Sequence, residues 1–306
     1  MSGHRASLIV LNYNGAGVIG PCLDSIVKAK GPDDEIIVVD NGSEDGSREM
    51  VKEREDVILV ALPRNTFIFG LNEGLARATG DYVAFLNSDM TVEPDFVEEC
   101  IERFADGDDV FAVCPRILQD DGREQGSRTA GYWERGLIFY KPLAHSEEPT
   151  DCFFAVGGQS FFRRSGILEI GSIDPLLWPM YHEDIELSYR AWKRGWRIRY
   201  APKAIAHHRG GHTSKRVFTE TELRSFVRQN EYLIVWKDVT DWPLLAEHVA
   251  LMVPRLLAAT VRGDTATLKG WVRAVSRLRQ VHQSRTRARA HFRLSDREVL
   301  DRVRVR

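Results

Sequence analysis

Short apolar runs alternate in the first third of the chain with segments whose apolar positions recur at helical spacing. A run of four to six apolar residues is typical of a strand inside a sheet, whereas recurrence every three or four residues predicts a helix. The predicted strands are 7–11, 35–40, 57–62 and 82–86, and the predicted helices are 16–29, one that Ser43 caps, 72–78 and one from 93 to about 104. Because the connections are short, this alternation predicts a parallel sheet of β-α-β units that extends to about residue 115.

The pattern weakens between residues 116 and 150, where we predict polar turns with scattered aromatic residues. It returns at residues 153–163, where apolar side chains flank Gly157 and Gly158 and the backbone can approach a ligand closely. A helix is predicted after His182 and ends at Gly195, a residue that favours helix ends.

The last third of the sequence predicts helices. A strand at 196–200 and a polar loop at 207–214 precede helices at 219–236 and 242–261, and Pro254 predicts a kink or break in the second of these. A basic amphipathic segment begins at Leu268. We therefore predict three segments: a sheet-containing half at 1–115, a second half of the same domain at 116–215, and a helical extension at 216–306.

Composition and charge agree with a folded α/β protein. The 306 residues are 43% hydrophobic and 28% charged, and the net charge of −2 carries no nucleic-acid signature. The charge is uneven, however, because residues 241–306 contain 14 Lys and Arg against 6 Asp and Glu. This basic segment predicts a solvated helical cap on the domain or on a second subunit, or a surface that contacts anionic lipid. Nucleic-acid binding is disfavoured because no recognised fold accompanies the charge.

The four cysteines, Cys22, Cys100, Cys114 and Cys152, contain no C-x-x-C pair. This spacing argues against a zinc module or a disulfide framework and favours buried thiols in a reducing compartment. A strand begins directly after residue 6, which leaves no room for a signal peptide. No run reaches about 18 uninterrupted apolar residues. We expect a soluble cytoplasmic protein or one peripheral to the inner face of the cell membrane.

Polar clusters follow three of the predicted elements. Asp40-Asn41 ends the second strand, and it predicts either a strand-end turn or a carboxylate that accepts the imide N–H of a uracil or thymine ring. Asn87-Ser88-Asp89 ends a strand at the sheet edge where ligands bind in α/β proteins, so Asp89 predicts either a helix cap or a ligand of a divalent cation.

The third cluster is His182-Glu183-Asp184 at a helix start. Acidic residues in a first turn complement the helix dipole, and one of these two could instead act as a general base. His207 and His208 predict either solvated loop histidines or metal ligands.

These clusters stand in an ordered series of motifs. The series is Val10-Leu-Asn-Tyr-Asn14, Val38-Val-Asp-Asn-Gly-Ser43, Phe67-Ile-Phe-Gly-Leu-Asn-Glu-Gly74, Gly80-Asp-Tyr-Val-Ala-Phe-Leu-Asn-Ser-Asp89, Gly158–Arg163, Tyr181-His-Glu-Asp-Ile-Glu-Leu-Ser-Tyr-Arg190, Gly195-Trp-Arg-Ile198 and His208-Arg-Gly-Gly211. Together the motifs resemble the family 2 glycosyltransferases, with the branch of bacterial rhamnosyltransferases as the nearest likeness. The resemblance covers about residues 6–214 and implies the GT-A fold, an α/β mixed sheet flanked by helices. It also implies an inverting, metal-dependent enzyme of cell-surface polysaccharide assembly.

The resemblance also implies a role for each matching residue. The nucleotide of a UDP- or dTDP-sugar would contact Asn12, Asn14, Asp40, Asn41, Asn72, Asn87 and Ser88. Asp89, with His208, would hold Mn²⁺ or Mg²⁺ against the diphosphate. Asp184 would be the catalytic base with Glu183 beside it, and the saccharide or lipid-linked acceptor would contact Gly157, Gly158, Trp178 and Tyr181. A base that does not share the metal keeps its basicity, which favours separate roles for Asp89 and Asp184.

Two positions depart from the family pattern. Asn87 stands where the metal motif often has Asp, so we expect one metal-binding carboxylate completed by diphosphate, water and His208. Thr66 and Phe69 stand where relatives often have Gly or another small residue, so we expect a narrower donor pocket.

Three other functions fit the sequence less well than a glycosyltransferase does. A degenerate scaffold that only binds nucleotide sugar is disfavoured by the retained acids. A nucleotidyltransferase would need a basic phosphate loop after the first strand. A dinucleotide oxidoreductase would carry G-x-G-x-x-G after a strand, and Gly15-Ala-Gly-Val-Ile-Gly20 has that spacing. A single match of this kind is a weak signal, and the ordered series of motifs favours the glycosyltransferase.

Overall fold

The protein is described by a computed structural model that covers residues 5–209 and 217–304. Its contacts divide the chain into two units. The first unit consists of the described parts of Met1–Thr129, Pro142–Ile173 and Trp196–Gly211, and the second of the described parts of Ala130–Lys141, Asp174–Gly195 and His212–Arg306. The predicted three-segment division at residues 115 and 215 is a division along the sequence and stays a prediction.

The first unit is built on one sheet. Its strands are β1 (Ala6–Asn12), β2 (Glu35–Asp40), β3 (Ile58–Ala61), β4 (Tyr82–Asn87), β5 (Met90–Val92), β6 (Val110–Gln119), β9 (Gln159–Arg163) and β10 (Arg197–His208). Within the described residues their order is β3-β2-β1-β4-β9-β6-β10-β5. β1 to β4 are parallel, as predicted, whereas β9 is antiparallel to β4 and β6, and β5 is antiparallel to β10.

Helices cover this sheet because their apolar faces match its apolar strands. They are α1 (Ile19–Ala29), α2 (Ser47–Lys52), α3 (Leu71–Arg77), α4 (Phe96–Glu102) and α5 (Arg164–Ile170). α1 buries Cys22, Leu23 and Ile26 in the main core cluster. On α3, a β-carbon added to Gly74 would lie 2.4 Å from Cγ2 of Ile9, so glycine allows α3 to pack directly on the sheet.

Three local predictions were wrong. The strand predicted at 196–200 extends to His208 as β10, so His207 and His208 are strand residues and not part of a polar loop. Ser43 does not cap a helix, because α2 begins at Ser47 after Gly46. The stretch from 116 to 150 is not only turns, because β6 runs to Gln119 and residues 129–142 form a hairpin, β7 (Thr129–Glu134) with β8 (Leu137–Pro142). All four cysteines are buried and free, as predicted.

The second unit is helical apart from most of that hairpin. Its helices are α6 (Glu183–Arg194), α7 (Glu220–Asp238), α8 (Trp242–Val261), α9 (Thr265–Val275), α10 (Leu278–Arg289) and α11 (Asp296–Val303). Thr219 and Glu222 form a capping box that begins α7. The predicted helices at 219–236 and 242–261 are confirmed, and α8 continues through Pro254 without a break.

The basic segment packs on this unit as α9 to α11. Arg285 Nη1 donates to the carbonyl oxygens of Trp236, Lys237 and Val239, and thereby caps the end of α7. Arg277 Nη1 donates to the carbonyl of Leu176 over 2.6 Å. These arginines therefore stabilise the unit itself, which agrees with the predicted helical cap.

Candidate functional site

The first group of predicted site residues lies at one edge of the sheet. β1 pairs with β2 so that Asn12 lies opposite Asp40, and β1 pairs with β4 so that Leu11 lies opposite Asn87. The three strands are parallel, so their carboxyl ends meet there. The structure thus brings Asn12, Asp40 and Asn87 to the same edge.

The carboxylate of Asp40 is buried and is occupied within the protein. Its Oδ1 accepts from Arg48 Nε over 2.7 Å and from the Ser43 amide over 3.1 Å, and its Oδ2 accepts from Asn12 Nδ2 over 3.1 Å. Burial opposes ionisation, but the hydrogen bonds from Ser43 and Arg48 outweigh it and lower the pKa of Asp40. Asp40 is therefore an ionised anchor of this edge, and its predicted contact with a nucleobase stays a prediction.

Asn14 and Asn41 shape the loops around that edge. Asn14 has a φ of 50°. Its side-chain Oδ1 accepts from the backbone N–H of Glu44, and its backbone N–H donates to Ser43 Oγ. Asn41 Nδ2 donates to the carbonyl of Phe67, and Asn41 Oδ1 accepts from Thr66. The two loops that border the predicted nucleotide site are therefore fixed by amide side chains.

Asn72 and Phe69 make contacts inside the protein. Asn72 Nδ2 donates to the carbonyl of Ile173 over 2.9 Å, and its Oδ1 accepts from Ser172 Oγ over 2.7 Å. Both polar atoms of Asn72 thus bind the segment that follows α5. Phe69 is buried in the 3₁₀ helix Phe67–Gly70, and its predicted effect on the donor pocket stays a prediction.

Asn87 and Gly158 are in close contact. Gly158 has a φ of +71°, and a β-carbon there would lie 2.3 Å from Asn87 Oδ1. The Asn87 amide also donates to the carbonyl of Gly158 over 2.8 Å. Gly157 and Gly158, predicted as acceptor residues, therefore border the end of β4 in the first unit.

Ser88 and Asn12 face the turn after β1. A β-carbon on Gly15 would lie 2.3 Å from Asn12 Oδ1 and 3.2 Å from Ser88 Oγ. Asn12 Oδ1 is buried without a hydrogen-bond partner in the protein. A buried acceptor of this kind is costly unless a donor reaches it, so it fits a site that a polar ligand completes.

Asp89 lies beside His208, as the predicted metal pair requires. His208 Nε2 is 3.1 Å from Asp89 Oδ1, and both side chains are largely buried. On the other side of the ring, His208 Nδ1 is 2.6 Å from Gln125 Oε1. Gln159 Nε2, a donor, also lies 3.2 Å from Nδ1. The shorter contact is to the amide oxygen of Gln125, which only accepts, so it favours the tautomer with the proton on Nδ1, and Nε2 is the nitrogen that faces Asp89. A protein ligand set of one carboxylate and one imidazole fits a divalent cation, and Gln125 fixes the ring as a hydrogen-bond partner typically does behind a metal-bound histidine.

His207 and Cys22 lie near the Asp89–His208 pair but are not part of it. His207 binds Glu93 instead, with Nε2 2.9 Å from Glu93 Oε1. Burial, followed by the charge of Asp89, raises the pKa of the Cys22 thiol to about 12, which keeps it protonated. Among the residues that the structure describes, no three His, Cys, Asp or Glu side chains form a metal-holding group. Gly210 and Gly211 of the last motif lie outside the described residues.

The second group of predicted site residues lies at the start of α6 in the second unit. Tyr181 and His182 have φ values of 72° and 64°, a left-handed conformation that is uncommon outside glycine. They lead directly into Glu183 and Asp184, and Asp184 Oδ1 accepts from the Ile185 amide over 2.8 Å. The strained turn therefore determines where the two acids begin the helix.

Glu183 and Asp184 are in different electrostatic states. Burial, followed by the charge of Asp184, raises the pKa of Glu183 to about 8, and Glu183 Oε2 is buried without a hydrogen-bond partner. Glu183 is therefore a neutral acid at neutral pH, which leaves the negative charge of the pair on Asp184. Burial also lowers the pKa of His182, against the opposing charges of Glu231 and Asp184.

The polar face of α7 holds this turn, and sequence reasoning missed it. Asn230 Nδ2 lies 2.7 Å from the carbonyl oxygen of Tyr181 and 3.0 Å from those of Leu177 and Met180. Gln229 Nε2 donates to the carbonyl of Trp178, whose half-exposed ring was a predicted acceptor contact. Consecutive Gln, Asn and Glu residues directly before the apolar run 232–236 were the signal that could have identified them.

A cavity lies beside the same turn. It has a volume of about 170 Å³, and its lining residues are Ile138, Phe139, Tyr140, His182, Ile185, Glu231 and Ile234. Burial, followed by the charge of Asp184, raises the pKa of Tyr140. Aliphatic walls with a few polar groups are typical of a small-ligand site.

Comparison with known families gives a match over more than half of the chain. A family model described as "Glycosyl transferase family 2" matches residues 7–171. The poly-beta-1,6-N-acetyl-D-glucosamine synthase of Staphylococcus aureus strain MSSA476 is 30% identical over 200 residues, which cover 63% of this chain and 47% of that protein. The chain thus spans about half the length of the curated relatives it matches.

Solved structures share the fold at low sequence identity. GalNAc-T7, with UDP, GalNAc and Mn²⁺, gives a TM-score of 0.63 at 18% identity and covers 77% of this chain and 48% of its own. Residues 1–349 of Staphylococcus aureus TarS, in complex with UDP-GlcNAc, give a TM-score of 0.60 at 17% identity and cover 97% of this chain and 90% of that one. The predicted GT-A fold, a mixed sheet flanked by helices and followed by C-terminal helices, is confirmed.

Proposed function

We propose that this chain, which belongs to glycosyl transferase family 2, moves a sugar from a UDP- or dTDP-sugar to a saccharide or lipid-linked saccharide in cell-surface polysaccharide assembly. The Staphylococcus aureus synthase supports the polysaccharide product, and the UDP and UDP-GlcNAc bound in two structural neighbours support a uridine donor. The predicted cytoplasmic location belongs to this proposal.

The Asp89–His208 pair is the observation that carries the proposal. Its carboxylate oxygen and imidazole nitrogen are 3.1 Å apart, and the proton on Nδ1 is directed to Gln125. A divalent cation bound by this pair would neutralise the charge that develops on the leaving diphosphate. Because imidazole binds Mn²⁺ more readily than the harder Mg²⁺, we expect Mn²⁺ to be the better activator.

Asp184 is the proposed catalytic base. As the acceptor oxygen attacks the anomeric carbon, its proton passes to the Asp184 carboxylate, and the electron pair of the breaking C–O bond passes to the diphosphate. This single displacement inverts the anomeric configuration. Glu183, held neutral by its raised pKa, supports the assignment because it does not compete for that proton.

The cavity beside His182 is the proposed acceptor site. Its aliphatic walls Ile138, Ile185 and Ile234 would cover the apolar face of a sugar ring or the start of a lipid, while Tyr140 and Glu231 would orient hydroxyl groups. Its lining residues His182 and Ile185 flank Glu183 and Asp184 in sequence, which supports this assignment because the attacking hydroxyl must reach the base.

Thermal shift and transfer assays test the proposal together. UDP-, dTDP- and GDP-sugars are screened with Mn²⁺, with Mg²⁺ and without metal, and the stabilising nucleotide identifies the donor by linkage. Asp184→Asn should keep that stabilisation and lose transfer, while the exposed Asp33→Asn control keeps both. Normal turnover by Asp184→Asn would refute the base, and retention of the anomeric configuration in the product, read by NMR, would refute the single displacement.

A further inference from the structure

α8 presents an unusually apolar surface to solvent. The helix Trp242–Val261 is long and apolar enough, by length and composition, to cross a membrane, yet only 11% of its most apolar window is buried. Its exposed side chains include Trp242 at 76% exposure, Val253 and Leu257 at 62% each, and Val261 at 87%. An apolar surface of this size on a folded protein marks a contact with something else.

These side chains form one continuous stripe. Trp242, Val249, Val253, Leu257 and Val261 follow at intervals of seven and then four residues, which places them on one face of a helix. Over 20 residues that face is about 30 Å long. We call these five residues the α8 stripe.

The opposite face of α8 is fixed to the second unit. Glu247 Oε2 accepts from Trp133 Nε1 over 2.8 Å, and Arg255 binds the carbonyl of Arg135. Leu244 and Leu245 pack on the small core cluster of the unit. Both charged side chains of the helix are thus turned towards the protein, so α8 in this fold can lie flat on an apolar surface rather than cross one.

Basic residues stand at both ends of the α8 stripe. Arg262 follows Val261 and is exposed. At the other end, exposed Arg297 lines the same surface depression as Trp242. On α9 and α10, the exposed apolar residues Val272 and Leu278 have exposed Lys269 and Arg279 near them in sequence. The surface therefore has an apolar centre and a basic residue at each end, with Asp241 lining the same depression as Arg297.

We propose that the α8 stripe is an interfacial membrane-binding surface that lies in the headgroup region of an anionic lipid bilayer. An in-plane helix binds through buried apolar area together with basic residues that reach anionic headgroups, and both components are present here. A tryptophan at the end of the stripe suits the same depth, since its ring is amphipathic.

The charge distribution distinguishes lipid from a second copy of this chain. In a two-fold pair of stripes, an antiparallel arrangement would place Arg262 against Arg297, and a parallel one would place each arginine against its own copy. Both arrangements bring these arginines together at the ends of the contact, with Asp241 in the depression that Arg297 lines, whereas anionic headgroups are complementary to the arginines. The proposal moves the predicted lipid contact from the basic helices to α8, and it is independent of the transfer reaction.

Vesicle sedimentation of the full chain tests the proposal. Vesicles of phosphatidylcholine with phosphatidylglycerol at about one third of the lipid should sediment the wild type, and pure phosphatidylcholine should sediment less of it. Val253→Glu with Leu257→Glu should weaken binding at least about tenfold, because each places a charge where apolar contact is needed. Arg262→Gln with Arg297→Gln should reduce binding to the phosphatidylcholine level and remove most of its salt dependence.

A matched control and a local reporter complete the test. Leu168→Glu changes a leucine of 51% exposure on α5 in the first unit and should sediment as the wild type does. Because all four native cysteines are buried, a fluorophore on Val253→Cys reports on the stripe alone, and its emission should shift to the blue with anionic vesicles. Equal sedimentation of wild type and Val253→Glu/Leu257→Glu would overturn the proposal. So would a vesicle-independent dimer, seen by light scattering, that the double variant dissolves, since that result assigns the stripe to a second copy.

Discussion

The side-chain amide of Asn230 donates to the backbone carbonyl of Tyr181 over 2.7 Å. Tyr181 and His182 are both in the left-handed region, a conformation that costs on the order of 1–3 kcal/mol per residue unless other contacts hold it. The same amide lies 3.0 Å from the carbonyl oxygens of Leu177 and Met180. One buried asparagine on α7 therefore positions the turn from which Glu183 and Asp184 extend.

Asn230→Ala should loosen that turn. It leaves buried carbonyl oxygens without a donor, so we expect the free energy of unfolding to fall by about 3 kcal/mol. Because Asp184 would no longer be held in place, kcat should fall about tenfold or more while the KM for the sugar donor changes little. Urea unfolding and steady-state kinetics measure the two effects. Gln280→Ala removes an exposed amide from α10 and should change neither; an unchanged kcat in Asn230→Ala would contradict the positioning role.

The metal pair gives a second prediction, for binding rather than turnover. Mn²⁺ affinity in the presence of UDP should be abolished by Asp89→Asn and should fall about 10- to 100-fold in His208→Ala and in Gln125→Leu. Gln125 contributes because its Oε1 accepts the Nδ1 proton of His208 and thereby fixes the ring. Isothermal titration or Mn²⁺ electron paramagnetic resonance measures these affinities.

The adjacent histidine is the control for this series. His207 binds Glu93 instead of Asp89, so His207→Ala should retain Mn²⁺ affinity. Equal losses in His207→Ala and His208→Ala would show that the effect comes from the end of β10 as a whole and not from a metal ligand.

Much of the first unit could be predicted from local sequence. β1, β2 and β4 are short apolar runs that end in polar residues, and the length of each run is enough to place the strand. Asp89 and His208 were found because motif likeness names them, and the structure brings them together. The period failed for β7 and β8, where half-exposed aromatic residues obscure the alternation of the hairpin.

The missed residues act over long sequence distances. Gln125 reaches His208 and Asn230 reaches Tyr181 through tertiary contacts that no local period records. Ser43 is the opposite case, a position where local sequence predicts a role that tertiary contacts prevent. It is a good helix cap by type, but its hydroxyl binds Asn12 and the Asn14 amide, and α2 begins four residues later. Tertiary hydrogen bonds thus outweighed a sound local preference.

Gly158→Ala should damage the site through contact as well as through strain. The new methyl group would lie 2.3 Å from Asn87 Oδ1, at a φ of +71°. We expect weaker binding of the nucleotide sugar and a loss of stability of about 2 kcal/mol. Gly122→Ala has a similar φ of +79° with nothing within 4 Å, so it isolates the cost of strain. Adding Asn87→Ala to Gly158→Ala should restore part of the stability, and no restoration would contradict the steric explanation.

Lys237→Met should destabilise the second unit strongly. Lys237 Nζ is buried, lies 2.7 Å from Asp174 Oδ2 and also binds Glu186. Burial opposes its charge, but Glu186 and Asp174 outweigh burial and raise the pKa of Lys237. Its removal leaves Asp174 without its cation and Glu186 with Arg190 alone in a largely buried site, so we expect a loss of about 3 kcal/mol in urea unfolding. The exposed Lys52→Met should stay within about 0.5 kcal/mol of the wild type; similar losses in both would contradict the ion-pair explanation.

Glu183 predicts how stability depends on pH. Its pKa is raised from 4.5 to about 8 in the folded protein, so between those values the unfolded chain releases a proton that the folded protein keeps. The unfolded state then binds fewer protons, and Glu183 lowers stability as the pH rises through this window, by at most about 1.4 kcal/mol per pH unit. Below pH 4.5 both states are protonated and the effect disappears.

Glu183→Gln removes this titration while keeping the size and the hydrogen-bonding ability of the neutral acid. The variant should match the wild type in urea unfolding near pH 4.5 and become progressively more stable than it towards pH 8. Near pH 7 it should also retain transfer, because the acid it replaces is already neutral and Asp184 remains to accept the proton. A stability difference that is flat across this range would mean that Glu183 ionises normally, and a loss of transfer at pH 7 would mean that the charged form of Glu183 takes part in the reaction.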